Sequence, residues 1–286
     1  MLDKLASLTP EVVNIVKHKH TEYPGSSCYH DHQAQGTYLC RRCGLALFRG
    51  ADQFVSHCGW PSFDQAIADH VDNLPDNDGE RVEIVCHRCG AHLGHVFYGE
   101  KLTEKNQRYC VNGLAIELIA DIDVMDTTEA IYAGGCFWGM EYYFEQLDGV
   151  LKTEVGYTGG AVSNPNYKQV CCGKTGHFEA IRVLYDPKRM DYPALTRYFF
   201  EIHDPTQQDG QGPDLGTQYL SAIFYFDDEQ KAIAAELIKQ LEEKNYTIAT
   251  QLLPVSIFWS AEAYHQHYYD KKQQQPYCHR YTKRFG

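Results

Sequence analysis

The sequence lacks any long apolar run and any cluster of basic residues. No stretch of 18 apolar residues occurs in its 286 positions, which argues against a transmembrane helix. The 26 Lys and Arg residues are outnumbered by 38 Asp and Glu residues, so the formal net charge is −12. An acidic chain without a basic patch binds nucleic acid and anionic membranes poorly, and we expect neither as a partner.

The sequence also lacks internal repeats, and its first ten residues have no apolar segment of the kind that secretory signals contain. We therefore expect a cytoplasmic location. Hydrophobic residues make up 43% and charged residues 22% of the chain, which excludes wholesale disorder. At about 150 residues per domain, the length suggests two domains.

Cysteine, in contrast, is abundant, with eleven residues that lie mostly in the first half. In a reducing compartment this number indicates metal binding or catalysis rather than a disulfide framework. Two copies of the motif Cys-x-x-Cys-Gly, at 40–44 and 86–90, can supply four thiolates to a tetrahedral zinc. We predict one structural zinc held by Cys40, Cys43, Cys86 and Cys89. Two redox-active dithiols or two local disulfides are the alternatives.

The pattern of predicted elements changes near an acidic stretch at 121–129. Before it, short strands are predicted at 37–39, 45–48, 81–85, 95–98 and 114–119, with a loop at 72–80 and a helix that Thr9 and Pro10 open. After it, strands at 130–133, 152–157, 178–185 and 220–226 alternate with helices at 137–146, 192–202 and 228–245. We place two domains at 1–122 and 123–286, the first mainly β and the second α/β.

Three further motifs accompany the cysteine pairs: Cys-Gly-Trp-Pro-Ser-Phe at 58–63, His-Leu-Gly-His-Val-Phe at 92–97 and Arg-Tyr-Cys-Val-Asn at 108–112. In this order, they make residues 7–120 resemble methionine sulfoxide reductases of the B type. The resemblance implies that Cys110 is the nucleophile, that Cys58 is the resolving cysteine and that Trp60 forms a wall for the substrate methyl group. It further implies that the pocket is organised by His92, His95, Arg108 and Asn112. Gly113 departs from the serine that many relatives carry.

The residue types suit this chemistry. Reduction of a sulfoxide needs a thiolate to attack sulfur and a proton donor for the oxygen. Arg108 is a cation that lowers a thiol pKa if it points inward. Two histidines three residues apart could face one pocket and supply protons near neutral pH. The resulting sulfenic acid condenses with a second thiol.

In the second half, Gly-Gly-Cys-Phe-Trp-Gly-Met-Glu at 134–141 follows a predicted strand and opens a predicted helix. A helix N-terminus favours the thiolate form of Cys136, and Phe137 and Trp138 can form an apolar cup. With later motifs at 156–160, 164–167, 176–180, 203–206 and 211–219, this run resembles methionine sulfoxide reductases of the A type over residues 130–280.

This second resemblance implies that Cys136 is the nucleophile, that Glu179 protonates the sulfoxide oxygen and that Asp214 supports the site. Tyr167 and Tyr219 would hydrogen-bond the same oxygen. A glutamic acid beside an apolar cup should have a raised pKa, which suits a general acid.

Cys278 occupies the position of the family's C-terminal resolving cysteine. Because no second cysteine follows it, we expect a partner to reduce its disulfide with Cys136 directly. Cys171 and Cys172 are expected to be buried or half-buried structural thiols, and they remain the alternative resolvers. We expect a solvated surface, rather than a metal site, at His18, His20, His30 and His32.

Together these observations predict a bifunctional two-domain α+β enzyme. The first domain should contain zinc and two small antiparallel sheets, and the second should be an α/β plait with a mixed sheet flanked by helices. By resemblance, the domains reduce the R and S epimers of methionine sulfoxide, free or in proteins, through a sulfenic acid and an intramolecular disulfide that a thioredoxin-like protein recycles. No organic cofactor is implied, and the role is repair under oxidative stress.

Two other functions are the alternatives. A redox-sensing zinc module would explain the cysteine pairs but not Glu179 or the motif around Cys136. A general disulfide oxidoreductase would have its nucleophile inside a Cys-x-x-Cys pair, which neither Cys110 nor Cys136 has.

Overall fold

A computed structural model describes residues 3–31 and 33–286, so His32 lies outside the described residues. The described chain divides into two compact units, Asp3–Thr127 and Thr128–Gly286. The domain boundary that we place at 122/123 lies a few residues before this division. No helix in the described part of the chain combines the length and the apolar character that a membrane crossing needs.

The first unit is built from one short helix and two antiparallel sheets, as predicted. Its helix is α1 (Pro10–Val16), and its strands are β1 (Gly36–Cys40), β2 (Ala46–Arg49), β3 (Gln53–Phe54), β4 (Ser62–Phe63), β5 (Val71–Pro75), β6 (Val82–Cys86), β7 (His92–Tyr98), β8 (Gln107–Val111) and β9 (Ile116–Ala120). The strand orders are β2-β1-β9 and β3-β4-β8-β7-β6-β5. Single turns of 3₁₀ helix lie at Lys4–Ser7, Gly50–Asp52 and Gly113–Ala115.

In this unit the predicted start of the first helix is confirmed, whereas the predicted loop at 72–80 is partly wrong. Helix α1 begins after Thr9 with Pro10 in its first turn, as predicted, and it buries Val12, Ile15 and Val16 in the core. The loop predicted at 72–80 is wrong in its first part, because β5 extends through Pro75. This strand is the edge of its sheet and is largely exposed, and there a proline and polar residues are compatible with pairing to one neighbour.

The second unit is a mixed sheet flanked by helices, again as predicted. Its strands are β10 (Thr128–Gly134), β11 (Val150–Thr158), β12 (Phe178–Tyr185), β13 (Gly210–Gln211), β14 (Asp214–Leu215), β15 (Ser221–Tyr225), β16 (Gln251–Pro254) and β17 (Trp259–Ser260). Its helices are α2 (Phe137–Phe144), α3 (Tyr167–Cys171), α4 (Tyr192–Ile202), α5 (Asp228–Glu243) and α6 (Tyr268–Lys272), with a 3₁₀ turn at Thr217–Tyr219.

The main sheet has the order β16-β15-β10-β12-β11-β17. Strands β15 and β16 pair in parallel, and the other pairs are antiparallel. All eight residues of β12 are buried, which is the pattern of a strand covered on both faces. Strands β10 and β12 therefore lie at the centre of the layer, and the chain leaves β10 at Gly134 directly into the motif that opens α2.

Candidate active sites and a four-cysteine cluster

The four cysteines of the Cys-x-x-Cys-Gly motifs come together although they start from different sheets. Cys40 ends β1 and Cys86 ends β6. In each motif the glycine N–H donates to the carbonyl of the first cysteine, at 2.7 Å and 2.8 Å, and the glycine has a positive φ, 78° for Gly44 and 66° for Gly90. The two turns therefore have the same geometry, for which glycine is the suitable residue.

The sulfur atoms of this cluster have the spacing that a tetrahedral zinc requires. The Sγ atoms of Cys40 and Cys89 are 3.7 Å apart, and those of Cys43 and Cys86 are 3.6 Å apart. All four lie within 4.8 Å of one another. Zn–S bonds of about 2.3 Å put tetrahedral sulfurs about 3.8 Å apart, whereas a disulfide needs about 2.05 Å. The donor set therefore fits zinc, and all four cysteines are free, so the motifs do not form two local disulfides.

Three neighbouring strands of the first unit bring Cys110 beside a histidine. On β8, Cys110 pairs in register with Ser62 of β4 on one side and with His95 of β7 on the other. Residues opposite each other in an antiparallel pair share a face of the sheet. Gly94 has a φ of 152°, and a Cβ there would overlap the carbonyl oxygen of Cys110, so the close approach of β7 and β8 depends on glycine.

A β-bulge turns both predicted histidines toward each other. Gly94 pairs with Ile84 and His92 pairs with Val85, so Leu93 is an extra residue in β7. The bulge shifts the alternation of side chains, and residues three apart then share one face. The ring centroids of His92 and His95 are 5.6 Å apart.

Each of these histidines is oriented by a carboxylate. Nδ1 of His92 is 2.7 Å from Glu83, and Nε2 of His95 is 2.7 Å from Asp76. Burial lowers the pKa of His92 despite the neighbouring carboxylate. Its Nε2 atom is buried and has no hydrogen-bond partner among the described residues. A neutral imidazole with one nitrogen bound to a carboxylate leaves the other nitrogen available.

Cys58 and Cys110 form a close thiol pair, with Sγ atoms 3.8 Å apart. Nη1 of Arg108 lies 3.4 Å from the sulfur of Cys58, and Glu100 holds the guanidinium from its other side at 2.8 Å and 2.9 Å. The hydrogen bond from Cys110 lowers the pKa of Cys58 to about 4, while this hydrogen bond and burial raise the pKa of Cys110. The pair therefore shares one proton and one negative charge next to a cation.

A cavity of about 110 Å³ opens beside this pair. Trp60, Phe97, His95, Cys110 and Asn112 are among the residues that line it, whereas His92 does not. Because an aromatic wall, a thiol and a histidine meet in one small cavity, the site can hold a methyl-sulfur group against a nucleophile and a proton donor.

Glu22 is a residue that the sequence reasoning missed. It is buried, its carbonyl accepts from Nε1 of Trp60 at 3.1 Å, and its N–H donates to Oδ1 of Asn112 at 3.0 Å. Its carboxylate accepts from the backbone N–H groups of Gly113 and Leu114. One residue therefore fixes both the aromatic wall and the asparagine. Glu22 lies far from the motifs in the sequence, and no local sequence pattern could have identified it.

The oxygen of Ser27 explains the glycine at position 113. A Cβ on Gly113 would overlap this hydroxyl, so the space next to Asn112 is already filled from another segment. Position 113 has glycine where many relatives have serine. In this chain the hydroxyl of Ser27 and the carboxylate of Glu22 occupy the space of that missing side chain.

In the second unit, Cys136 is the N-cap residue of α2 and is buried. Its sulfur, the sulfur of Cys278 and a carboxylate oxygen of Asp214 all lie within 4.8 Å of one another. The N–H of Trp138 lowers the pKa of Cys136, but hydrogen bonding with Cys278 and burial raise it by more. In the resting site, therefore, the helix N-terminus does not by itself make Cys136 a thiolate.

Glu179 lies on β12 next to the start of α2. Its Oε2 accepts from the N–H of Phe137 at 3.2 Å, and its Oε1 is buried without a hydrogen-bond partner among the described residues. Burial, and then the charge of Cys136, raise the pKa of Glu179 well above its ordinary value. A carboxylic acid kept protonated in this way can donate a proton at neutral pH.

The two predicted tyrosines lie near this carboxyl group. Tyr167 is on α3 and Tyr219 is in the 3₁₀ turn, and both are half-buried. Burial raises the pKa of each phenol, and the charge of Glu179 adds to both shifts. Both hydroxyls therefore keep their protons and can donate to an oxygen bound beside Glu179.

His265 organises the aromatic cup and was also missed. Nε1 of Trp138 donates to its Nδ1 at 3.0 Å, and its ring centroid lies 5.2 Å from that of Phe137 and 4.4 Å from that of Tyr167. Trp138 stacks on Tyr268 at 3.8 Å. The aromatic-rich stretch at 264–269 was the available signal for these contacts.

The other cysteines and the histidines near the start of the chain differ in their exposure. Cys171 and Cys172 are exposed at the end of α3, where the short helix stops, so the expectation of buried or half-buried structural thiols is wrong; Cys171 lies beside the phenol of Tyr167. Cys28 is also exposed. His18 and His20 are exposed, and His30 is bound to Ser27 and Asp31.

Comparison with known proteins gives matches to both halves of the chain. Residues 128–285 match the family described as "Peptide methionine sulfoxide reductase", and residues 8–120 match the family described as "SelR domain". The first match covers more than half of the chain.

Individual relatives agree with the match to the second half. A peptide methionine sulfoxide reductase MsrA of Nautilia profundicola is 47% identical over 150 residues, which are 52% of this chain and 87% of that protein. The MsrA of Methanosarcina mazei is 51% identical over 148 residues, which are 50% of this chain and 70% of that protein. The crystal structure of reduced Mxr1 from Saccharomyces cerevisiae is 39% identical with a TM-score of 0.51, over 55% of this chain and 91% of that one.

Proposed function

Because the chain belongs to the peptide methionine sulfoxide reductase family and carries a SelR domain before that part, it is a methionine sulfoxide reductase, and we propose that it has two independent active sites. The first would reduce the R epimer and the second the S epimer, in free methionine sulfoxide or in oxidised proteins. The sulfoxide sulfur is a stereocentre, so methionine sulfoxide has two epimers, and one site serves each epimer.

At the first site, Cys110 attacks the sulfoxide sulfur while Trp60 holds the methyl group. His95, which lines the cavity, donates the proton to the oxygen, and His92 and Asn112 order the pocket. Methionine leaves and Cys110 retains the oxygen as a sulfenic acid. Cys58 then attacks Cys110, and a disulfide and water form. The 3.8 Å separation of the two sulfurs supports this step, since only a short movement closes the bond.

At the second site, Cys136 is the nucleophile and Glu179 the proton donor. Tyr167 and Tyr219 hydrogen-bond the sulfoxide oxygen, and Phe137 and Trp138 enclose the methyl group. Cys278 resolves the sulfenic acid on Cys136, with Asp214 beside both sulfurs. The exposure of Cys171 and Cys172 supports Cys278 over these rivals, because Cys278 already lies next to the buried nucleophile.

Both disulfides would be reduced by a dithiol protein of the thioredoxin class. We further propose that Cys40, Cys43, Cys86 and Cys89 hold one structural zinc. Four protein ligands leave no open coordination position, so this ion would hold the two turns together and would take no part in the reaction.

The observation that carries the proposal is the presence of two separate thiol pairs, each beside a group that can give a proton. The test is to mix the reduced full chain with one epimer at a time, without reductant, and to map disulfides by mass spectrometry of peptides. The R epimer should produce a Cys58–Cys110 disulfide and the S epimer a Cys136–Cys278 disulfide, with one methionine per disulfide. Disulfides that form equally with either epimer would contradict the assignment.

A further inference from the structure

His279 is a buried histidine in direct contact with the sulfur of Cys278. Its Nδ1 atom lies 3.1 Å from that sulfur, and its Nε2 atom lies 2.7 Å from the carbonyl oxygen of Gly134. A carbonyl oxygen can only accept a hydrogen bond, so Nε2 carries the ring proton. The lone pair on Nδ1 therefore faces the thiol of Cys278.

The fold makes room for this ring against the helix that carries the nucleophile. A Cβ at Gly139, in the first turn of α2, would overlap Nδ1 of His279. The imidazole thus packs directly on the helix backbone, three residues after Cys136. Gly134 ends β10, so the central strand and α2 together fix the orientation of the ring.

We infer that His279 is the base that takes the thiol proton of Cys278 when Cys278 attacks oxidised Cys136. The inference deepens the proposed function and rests on Cys278 being the resolving cysteine. In this step the Cys278 sulfur forms the S–S bond, the S–O bond of the Cys136 sulfenic acid breaks, and the hydroxide leaves. The proton held on Nδ1 passes to that hydroxide, so the products are a disulfide, water and neutral His279.

The electrostatic surroundings agree with this role. Burial lowers the pKa of His279 to about 4, so the imidazole is neutral and its lone pair is free at neutral pH. The charge of Asp214 opposes this shift and would stabilise the transient imidazolium. Among the described residues, the thiol of Cys278 and the imidazole of His203 also act on the ring, and burial lowers the pKa of His203 to about 3, so it too is neutral. From α2, Tyr143 donates to the backbone carbonyl of His279.

Two substitutions separate proton transfer from hydrogen bonding. His279→Gln retains a donor that can reach Gly134 but loses the acceptor next to Cys278. His279→Asn places an acceptor oxygen near Cys278 but provides no base. If His279 accepts the proton, both variants should form the disulfide at least about tenfold more slowly, in keeping with the usual contribution of a general base.

The experiment uses the full chain with Cys110→Ser, the S epimer and no reductant, and follows methionine release and thiol loss by rapid quench. We expect methionine release within about twofold of the parent in both variants, which also shows that the site is folded, and slow loss of the second thiol. Disulfide formation at the parent rate in His279→Gln would overturn the inference, as would recovery of that rate in His279→Asn.

The pH dependence gives a measurement that needs no variant at position 279. With an internal base, the parent rate of disulfide formation should be flat from about pH 6 to 8. Without one, hydroxide must remove the thiol proton, and the rate should rise about tenfold per pH unit. A tenfold rise per unit in the parent chain would overturn the inference.

A Cys278→Ser variant distinguishes failure of this inference from failure of the proposed function. It should release one methionine and form no internal disulfide. If it still forms one, Cys278 is not the resolver and both ideas fall. If it forms none while His279→Gln behaves like the parent, only the role of His279 is lost.

Discussion

At the scale of the residue, burial decides what Glu179 can do. Its carboxyl group has one oxygen on the N–H of Phe137 and another with no hydrogen-bond partner among the described residues. A carboxylate would be poorly stabilised there, so the group stays protonated, and its raised pKa is the property that a general acid needs.

Glu179→Gln keeps the shape of the side chain and removes the acid. We predict that single-turnover release of methionine from the S epimer falls by about 10²- to 10⁴-fold, the usual contribution of a general acid, while R-epimer activity is unchanged. Because the acid form is active, S-epimer turnover in the parent should also decline as pH rises through the raised pKa of Glu179. An S-epimer rate in Glu179→Gln close to that of the parent would refute the role.

Glu22 gives a second prediction at this scale. Glu22→Gln weakens the acceptor for the N–H groups of Gly113 and Leu114 and disturbs the residue that fixes Trp60 and Asn112. We predict a loss of about 1.5–3 kcal/mol in the free energy of unfolding of the first unit, the usual contribution of hydrogen bonds to a charged group.

The R-epimer kcat/KM of this variant should fall about tenfold, which corresponds to about 1.4 kcal/mol of lost transition-state stabilisation. Urea unfolding and R-epimer kinetics measure the two effects. The exposed Glu104 provides the matched control, since Glu104→Gln should change neither. Equal behaviour of the two variants would show that the Glu22 contacts do not matter.

At the scale of the element, the two Cys-x-x-Cys-Gly turns hold the ends of strands from different sheets. Cys43→Ser removes one of the four proposed ligands, so we predict loss of zinc from the chain and loss of R-epimer activity, because the proposed ion would hold the two turns together. Zinc per chain, measured by atomic emission, and R-epimer turnover test this. The exposed Cys28 is the control, and Cys28→Ser should retain both zinc and activity. A Cys43→Ser chain with full R-epimer activity would contradict a structural role.

Elements with a strong periodic pattern could be predicted from the sequence, and irregular ones could not. Strand β12 and helix α4 have the predicted bounds because an apolar run and an amphipathic face with Pro193 in the first turn specify them locally. The two-residue strands β3 and β4 have no pattern of their own, since only the neighbouring strand β8 makes them part of the sheet.

The candidate sites likewise contain residues that sequence motifs predict and residues that only the structure identifies. Motifs supplied the cysteines, Glu179 and the tyrosines, because these residues lie within recognisable runs. Glu22, His265 and His279 act through contacts that cross long stretches of chain, and of the three only His265 lies in a stretch that the sequence marks, the aromatic-rich run at 264–269. The solvent exposure of Cys171 also depends on where α3 ends, which the sequence alone did not define.

At the scale of the whole molecule, each unit has its own core and its own thiol pair. The core around α1 and the first sheets draws on residues before position 127, and the core around α4 and α5 draws on residues after it. Each set of proposed catalytic residues likewise falls within one unit. Loss of one nucleophile should therefore leave the other site intact.

The most direct test of the account is turnover of the separated R and S epimers of methionine sulfoxide, with dithiothreitol as reductant. The chains to compare are the parent, Cys110→Ser and Cys136→Ser. The account predicts that R-epimer activity disappears only in Cys110→Ser and S-epimer activity only in Cys136→Ser. Loss of both activities in either variant, or retention of the expected activity in the matching one, would contradict two independent sites of opposite stereospecificity.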